Sequence, residues 1–279
     1  PLYDETTIIS NEFMDMKKPR TTTEETRNFI LADLQEAINV LPVRWPQSEY
    51  GRATRGSAVA LRGKVKLYAK DYAGATTDFE QIVNDPNGVG YGYALYPDYA
   101  KLFTPEGDAS TEMIFAIQNT GGTGTEYGMP FGLRLGSRSS YGSCWNTCMP
   151  TDVFADMYEN ADGTKFNWDD HIPGFTTSRP IQEETFKAAL QNGVVSKYPE
   201  KKDLIRQIYT NRDPRMEQTL ITPYSFYYGA NGTVPMMMEF VLAAGANENY
   251  GYVRNSVGTY DYLWRKFVPE GDMNGTLTN

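Results

Sequence analysis

Histidine is almost missing from this chain. One residue, His171, serves all 279 positions, which excludes most His-based metal sites and most Ser-His or Cys-His nucleophile pairs. Cysteine is nearly as scarce: Cys144 and Cys148 are the only two, four positions apart, too few for a disulfide framework. They do not make a zinc site without two further ligands. No basic run occurs and the formal charge is −9, so the chain lacks the Lys and Arg clusters that neutralise nucleic-acid phosphates. There is no run of about 18 apolar residues to span a membrane, and no signal peptide. Gly121-Gly122-Thr123-Gly124 has no following Lys-Ser/Thr, so it is not a phosphate loop. His171 alone reads as a hydrogen-bonded surface or loop residue rather than a catalytic base.

What the chain has in excess is aromatic surface: 20 Tyr, 13 Phe and 4 Trp. Such rings either pack a loop-rich fold or present faces to a ligand. The apolar content of 40% and charged content of 22% are ordinary for a globular chain, and the length can bury a sizeable core.

Periodicity divides the sequence in two. Thr22-Thr23-Glu24-Glu25 offers a capping box, and Phe29, Ile30, Leu34, Ala37, Ile38 and Leu41 recur at helical spacing up to Pro42. Arg55–Lys70 and Ala73–Val83 read as two more helices joined by the turn Asp71-Tyr72, so they must lie antiparallel. Small residues let them approach closely, and Gly63, Ala75 and Phe79 fall at tetratricopeptide spacing. The expected domains are therefore a helical scaffold over 1–87 and a loop-rich region over 88–279. In the second, Glu112–Gln118, Leu220–Tyr228 and Met236–Leu242 read as strands, and Asp152–Tyr158, Glu183–Gln191 and Lys201–Tyr209 as short helices. Residues 119–150 form a long Gly/Ser/Thr/Tyr loop, of a length that usually carries function. The fold class expected is mainly α, with tetratricopeptide-like helical pairs and a large irregular region of short strands and helices.

A set of landmarks runs through the chain in order. Leu31–Ile38 is followed by Leu41-Pro42, Gly51–Ala58, Tyr93-Ala94-Leu95, Asp98–Phe103 and Ser110–Ile117. Then come Met157-Tyr158-Glu159 with Asp162-Gly163, Asn211–Arg215 and Arg265-Lys266-Phe267. In this order they resemble the SusD/RagB family. That resemblance implies a non-catalytic, cell-surface glycan-binding lipoprotein that passes oligosaccharide or polysaccharide to a SusC-like TonB-dependent transporter at the outer membrane. It also implies an internal segment of a longer protein, with the membrane reached only through a lipid anchor outside this segment.

Neutral glycans offer hydroxyls and apolar ring faces, so a site for them needs flat aromatic platforms beside amides, carboxylates or Arg. The expected glycan-binding residues are Trp145, Asn146, Tyr141, Arg134, Arg138 and Tyr127 in the long loop, with Trp168 beside Asp169 and Asp170 as a further candidate. The alternative for Trp145 is packing under its loop. The Tyr224, Phe226, Tyr227 and Tyr228 run is a weaker candidate, since alternating aromatics more often pack a strand on a core. Trp45 and Trp264 read as structural. At an oxidising cell surface Cys144 and Cys148 would either bridge, holding Trp145, or remain two thiols; both readings stay open. No catalytic residue, metal or cofactor is expected. Asp169, Asp170, Asp261 and Asp272 could help hold Ca²⁺, but no spacing resembles an EF-hand loop. The same fold binding peptides, or docking a protein, is the alternative function. A glycosidase using a carboxylate pair among Asp152, Asp156, Glu159 and Asp162 ranks last.

Overall fold

The computed structural model describes residues 2–3, 17–118, 131–137, 140, 144, 147–192, 194–231, 234–243, 253–255, 261–268 and 270. It divides into two compact units, one of Pro1–Tyr96 with Ala109–Gln118, the other of Pro97–Asp108 with Asn119–Asn279. Among the described residues helices dominate and strands are few and short.

The first unit is a run of helices. α1 (Thr23–Val40) starts at the expected capping box: the Thr22 hydroxyl accepts from the Glu25 amide at 3.1 Å, and the Glu25 carboxylate accepts from the Thr22 amide at 2.9 Å. These bonds hold the Glu25 carboxyl below its ordinary range. α2 (Arg55–Tyr68) follows a second box built by Thr54 and Ser57. Arg62 reaches Gln35 of α1, and Arg55 donates to the Leu41 carbonyl.

α3 (Tyr72–Val83) is capped by Asp71, which accepts from the Gly74 amide. Lys70 turns the chain between α2 and α3 with φ of +62°. Arg62 and Lys66 meet Asp78 at 2.6 and 2.8 Å, and Lys66 also reaches the Gly74 carbonyl, so α2 and α3 run antiparallel. A Cβ on Gly63 would stand 2.7 Å from the Phe79 ring, which shows how closely the two helices approach. Glu112–Gln118, expected as a strand, joins no ladder among the described residues; it is entered through a turn in which the Met113 amide donates to the Ser110 carbonyl at 3.1 Å.

The second unit is built around rings. Trp168 lies within 4.7–5.8 Å, centroid to centroid, of Phe166, Phe175, Phe186 and Tyr209. Tyr209 and Tyr262 share a buried hydroxyl–hydroxyl hydrogen bond of 3.0 Å. Much of the aromatic excess is thus core. Around it lie α4 (Phe131–Leu135), α5 (Asp152–Asp156), α6 (Arg179–Phe186), α7 (Lys202–Thr210) and α8 (Pro214–Thr219). The helix expected over Glu183–Gln191 starts earlier, at Arg179 with Pro180 in its first turn, and ends at Phe186; Ala189–Gln191 is strand β1.

Pairing is local. β1 joins β2 (Val194–Lys197), β3 (Leu220–Ile221) joins β8 (Leu263–Trp264), β4 (Phe226–Asn231) joins β5 (Val234–Glu239), and β6 (Val241–Ala243) joins β7 (Val253–Asn255). The strands expected over Leu220–Tyr228 and Met236–Leu242 are each broken in two. The first breaks where Tyr224 adopts φ of +65° and Ser225 turns back onto the Thr222 carbonyl. In the β4–β5 hairpin Tyr227 and its partner Met238 face the core, while Phe226, Tyr228 and Met237 face outward.

Candidate functional site

The second unit contains a cleft of about 300 Å³ lined by Tyr99, Phe154, Met157, Tyr158, Glu159, Asp213 and Arg215. A buried arginine ties down the backbone of the lining residue Tyr158. Arg212 is 1% exposed, and its Nη2 donates to the carbonyls of Ala155 (2.9 Å) and Tyr158 (2.6 Å), where α5 ends. Its guanidinium carbon sits 3.4 Å from the Phe166 ring centroid. Desolvated contacts of this kind contribute about 2 kcal/mol.

The chain on either side of Arg212 is laced to the same segment. The Ala161 amide donates to the Asn211 carbonyl, and the Asp213 amide to the Glu159 carbonyl. This fixes the backbone of Tyr158 and Glu159 against that of Asp213. Asp213 then caps α8 by accepting from the Arg215 amide at 2.9 Å, and its carboxylate also accepts from Arg215 Nε at 3.0 Å. The Arg215 side chain holds the Asp213 carboxyl below its ordinary range, and Asp213 raises Arg215 in return. Such a carboxylate suits a standing hydrogen-bond acceptor rather than a proton donor.

The rings form the cleft's walls. Phe154 meets Tyr158 edge to face at 5.6 Å and Trp264 at 5.7 Å. Tyr99 packs edge to face on Phe103 at 5.1 Å. Lys266 lies 3.7 Å from the Phe103 centroid and donates to the Tyr99 hydroxyl at 3.5 Å. Burial raises the Tyr158 phenol, which stays a neutral donor and acceptor. The cleft therefore offers apolar ring faces beside two carboxylates and a guanidinium.

The sequence placed its best candidates elsewhere. Trp145, Asn146, Tyr141, Arg138 and Tyr127 lie outside the described residues. Arg134 is exposed on α4, and its carbonyl accepts from the amides of Thr147 (2.8 Å) and Cys148 (3.3 Å). Trp168 requires correction: it is 2% exposed in the ring core and its indole N–H donates to Asp156 at 2.9 Å, so it offers no platform. Of the weaker aromatic run, Tyr224 and Tyr227 are buried and Phe226 and Tyr228 exposed. Cys144 and Cys148 are not bridged. Cys144 is buried against Gly136, Cys148 is exposed, and burial pushes the Cys144 thiol up.

None of the residues lining the cleft is among the expected glycan-binding residues. Tyr99, Met157-Tyr158-Glu159 and Asp213-Pro214-Arg215 stand within the family landmarks and combine rings, carboxylates and Arg, whereas Phe154 carries no such signal. Among the described residues, no three His, Cys, Asp or Glu side chains gather as a metal group, and no helix is long and apolar enough to cross a membrane.

A model of the SusD family matches residues 111–279, more than half of the chain. No protein of curated function matches by sequence. Among solved structures, a SusD-like carbohydrate binding protein from Bacteroides fragilis NCTC 9343 superposes with a TM-score of 0.63 at 19% identity, over 92% of this chain and 42% of its own. A second SusD-like protein from the same organism gives a TM-score of 0.57 at 20% identity, over 88% of this chain and 48% of its own. The chain thus spans less than half the length of either relative.

Proposed function

Because the chain belongs to the SusD family, we propose that it captures glycans at a cell surface without cleaving them. The observation that carries this reading is the second-unit cleft, where the Tyr99, Phe154 and Tyr158 rings stand beside Glu159 and the Asp213–Arg215 pair. Stacking on ring faces supplies attraction, and the charged pair bridges hydroxyls. Trp145, Asn146, Tyr141, Arg134, Arg138 and Tyr127 remain further glycan-binding residues in the same proposal. The relative named as a carbohydrate binding protein is the precedent for the ligand class. In the longer protein the captured oligosaccharide passes to a SusC-type TonB-dependent transporter, with a lipid anchor outside this segment holding the protein at the outer membrane. The α2–α3 pair, with Gly63, Ala75 and Phe79 at its seam, is the tetratricopeptide-like part of the scaffold.

Affinity electrophoresis against a panel of neutral and acidic polysaccharides tests the reading. Retardation by at least one glycan, reduced in Arg215→Ala and Trp145→Ala, is expected. Migration unchanged by every glycan overturns glycan capture, and reducing-sugar release by the purified chain overturns the non-catalytic part.

A second reading, peptide or protein docking, is favoured by one feature of the first unit. A groove of about 740 Å³ there is lined by Leu2, Ile30, Val65, Tyr68 and Ala69, with Arg20 and Arg27 at its edge. Tyr68 is 78% exposed. Binding of apolar, acidic peptides that is lost in Tyr68→Glu, with no retardation by glycans, would favour this reading over the first.

A further inference from the structure

Strand β4 is open to mispairing. It begins with three aromatics, Phe226-Tyr227-Tyr228, and carries no charge and no proline. Phe226 and Tyr228 are exposed on the outer face of the hairpin, beside Met237. Among the described residues β4 pairs only with β5, so one edge of its backbone lies outside any ladder. The Ser225 carbonyl accepts from the Phe240 amide, which turns the backbone groups of Ser225 and Tyr227 toward β5 and those of Phe226 and Tyr228 away from it. An uncharged aromatic strand with a free edge is a template for pairing with another chain.

That edge is filled by an ion pair. Arg265 Nη2 donates to the Phe226 carbonyl at 2.9 Å, and one Glu270 oxygen accepts from the Tyr228 amide at 2.8 Å. The other Glu270 oxygen pairs with Arg265 Nη1. One residue of a parallel strand would make the same two bonds, its N–H to one carbonyl and its C=O from the amide two residues on. The pair is held in place by its own backbone. β8 ends at Trp264, the Arg265 amide donates to the Thr219 carbonyl at 2.9 Å, and Phe267, with φ of +63°, turns the chain so that the Val268 amide returns to the Arg265 carbonyl at 3.0 Å. The Arg265 and Glu270 side chains are 19% and 28% exposed, so solvent and salt screen them less than a surface pair. Arg265 is a family landmark, yet it does not line the cleft.

We propose that the Arg265–Glu270 pair is a strand stopper: it occupies the free edge of β4 and keeps a second copy of this chain from adding its own β4 there. The excluded occupant is a second copy because the strand is uncharged and aromatic. Two such strands meet without like-charge repulsion and set ring against ring. The contact would be the same surface on both copies, and so would close as a dimer. This inference is independent of the glycan reading.

Sedimentation velocity and amide hydrogen exchange on the full chain test it. Arg265→Ala/Glu270→Ala removes the stopper and leaves the formal charge at −9, so a change in association does not come from net charge. With rising concentration the double variant is expected to reach twice the mass of the wild type. In dilute solution its Tyr228 amide should exchange about tenfold faster than in the wild type, because the bond to the carboxylate is gone. Adding Phe226→Lys, which puts a charge on the strand, should return the double variant to the wild-type mass. Should the double variant fail to fold, Glu270→Ala alone is read in the same two ways, since it frees the Tyr228 amide and leaves Arg265 on the Phe226 carbonyl. A folded variant with the wild-type mass at every concentration overturns the stopper. Association that persists with Phe226→Lys also overturns it, and moves the contact to another surface. A wild-type chain that already dimerises, and is made monomeric by Phe226→Lys, overturns it as well, because β4 is then open in spite of the pair.

Discussion

Arg212 lies over Phe166, its guanidinium carbon 3.4 Å from the ring centroid, while the same guanidinium ties the carbonyls of Ala155 and Tyr158. One buried side chain thereby links the ring core of the second unit to the cleft wall. Lysine is not an equivalent, because it lacks the planar fork that stacks and bridges at once. Arg212→Lys is expected to cost about 3 kcal/mol from the lost charge-assisted bond and stacking. Urea unfolding followed by tryptophan fluorescence measures this, since Trp168 meets Phe166 at 5.1 Å. Wild-type stability in Arg212→Lys would remove the linking role.

Asp78 sits 1% exposed between Arg62 and Lys66. Burial opposes its charge, but hydrogen bonds from Arg62 and Lys66 outweigh burial and hold its carboxyl below the ordinary value. The unfolded chain therefore takes up the proton first. The stabilisation is complete above roughly pH 4, where an unfolded Asp titrates, and is lost as pH falls through the lower folded value. Asp78→Asn should cost about 3 kcal/mol at neutral pH, because two cations lose their partner. Thermal melts of both proteins from pH 7 to pH 3 should show the gap narrowing only at the acid end. A constant gap would contradict the ion-pair origin.

Alanine at an exposed helical glycine ordinarily stabilises by about 1 kcal/mol. At Gly63 the added Cβ would stand 2.7 Å from the Phe79 ring, and overpacking costs about 1–3 kcal/mol. The clash should win, so Gly63→Ala is expected to lower Tm and Gly63→Ala/Phe79→Leu to recover part of it. A double-mutant cycle with no coupling would show that the helices do not meet there.

The two cysteines should behave as separate thiols. Cys148 is exposed, while burial both shields Cys144 and raises its pKa. One equivalent of Ellman's reagent should react quickly in the native protein and the second only on unfolding, and reducing agent should leave Tm unchanged. Zero reactive thiols in the native protein would restore the bridge.

Under the proposed glycan capture, each exposed ring contact in the cleft should contribute about 1 kcal/mol to retention, or about fivefold in affinity. Phe154→Ala and Arg215→Ala should each weaken retardation by that factor. Asp213 already lies below its ordinary range, so retention should be flat from pH 5 to 8. A steep change there would point to a different group at the site.

The helical half of the fold was legible because its signals are local. Capping boxes, the 3.6-residue period and the small residue at Gly63 act within a few positions, and α1, α2 and α3 fall where these place them. The second unit was less so. β3 pairs with β8 across more than forty residues, and Trp168 gathers partners from 166 to 209, so neither is encoded in a short window. Family landmarks marked both walls of the cleft, yet composition drew the glycan expectation to Trp145 and Trp168 instead. A tryptophan beside two aspartates looks the same in sequence whether it faces a ligand or Phe175 and Phe186.

Tyr99 and Lys266 touch across 167 positions of chain. Tyr99 belongs to the short stretch Pro97–Asp108, which joins the second unit although both of its flanks belong to the first. On a ribosome, that stretch emerges early and must wait for Lys266 before its side of the cleft exists. Contacts of such long separation form late, because the entropy of closing the loop comes before the contact can repay it. Cleft binding would therefore report the closure of that long loop: a nascent chain stalled before Lys266 can complete its first helices, yet lacks the Lys266 contact to Tyr99.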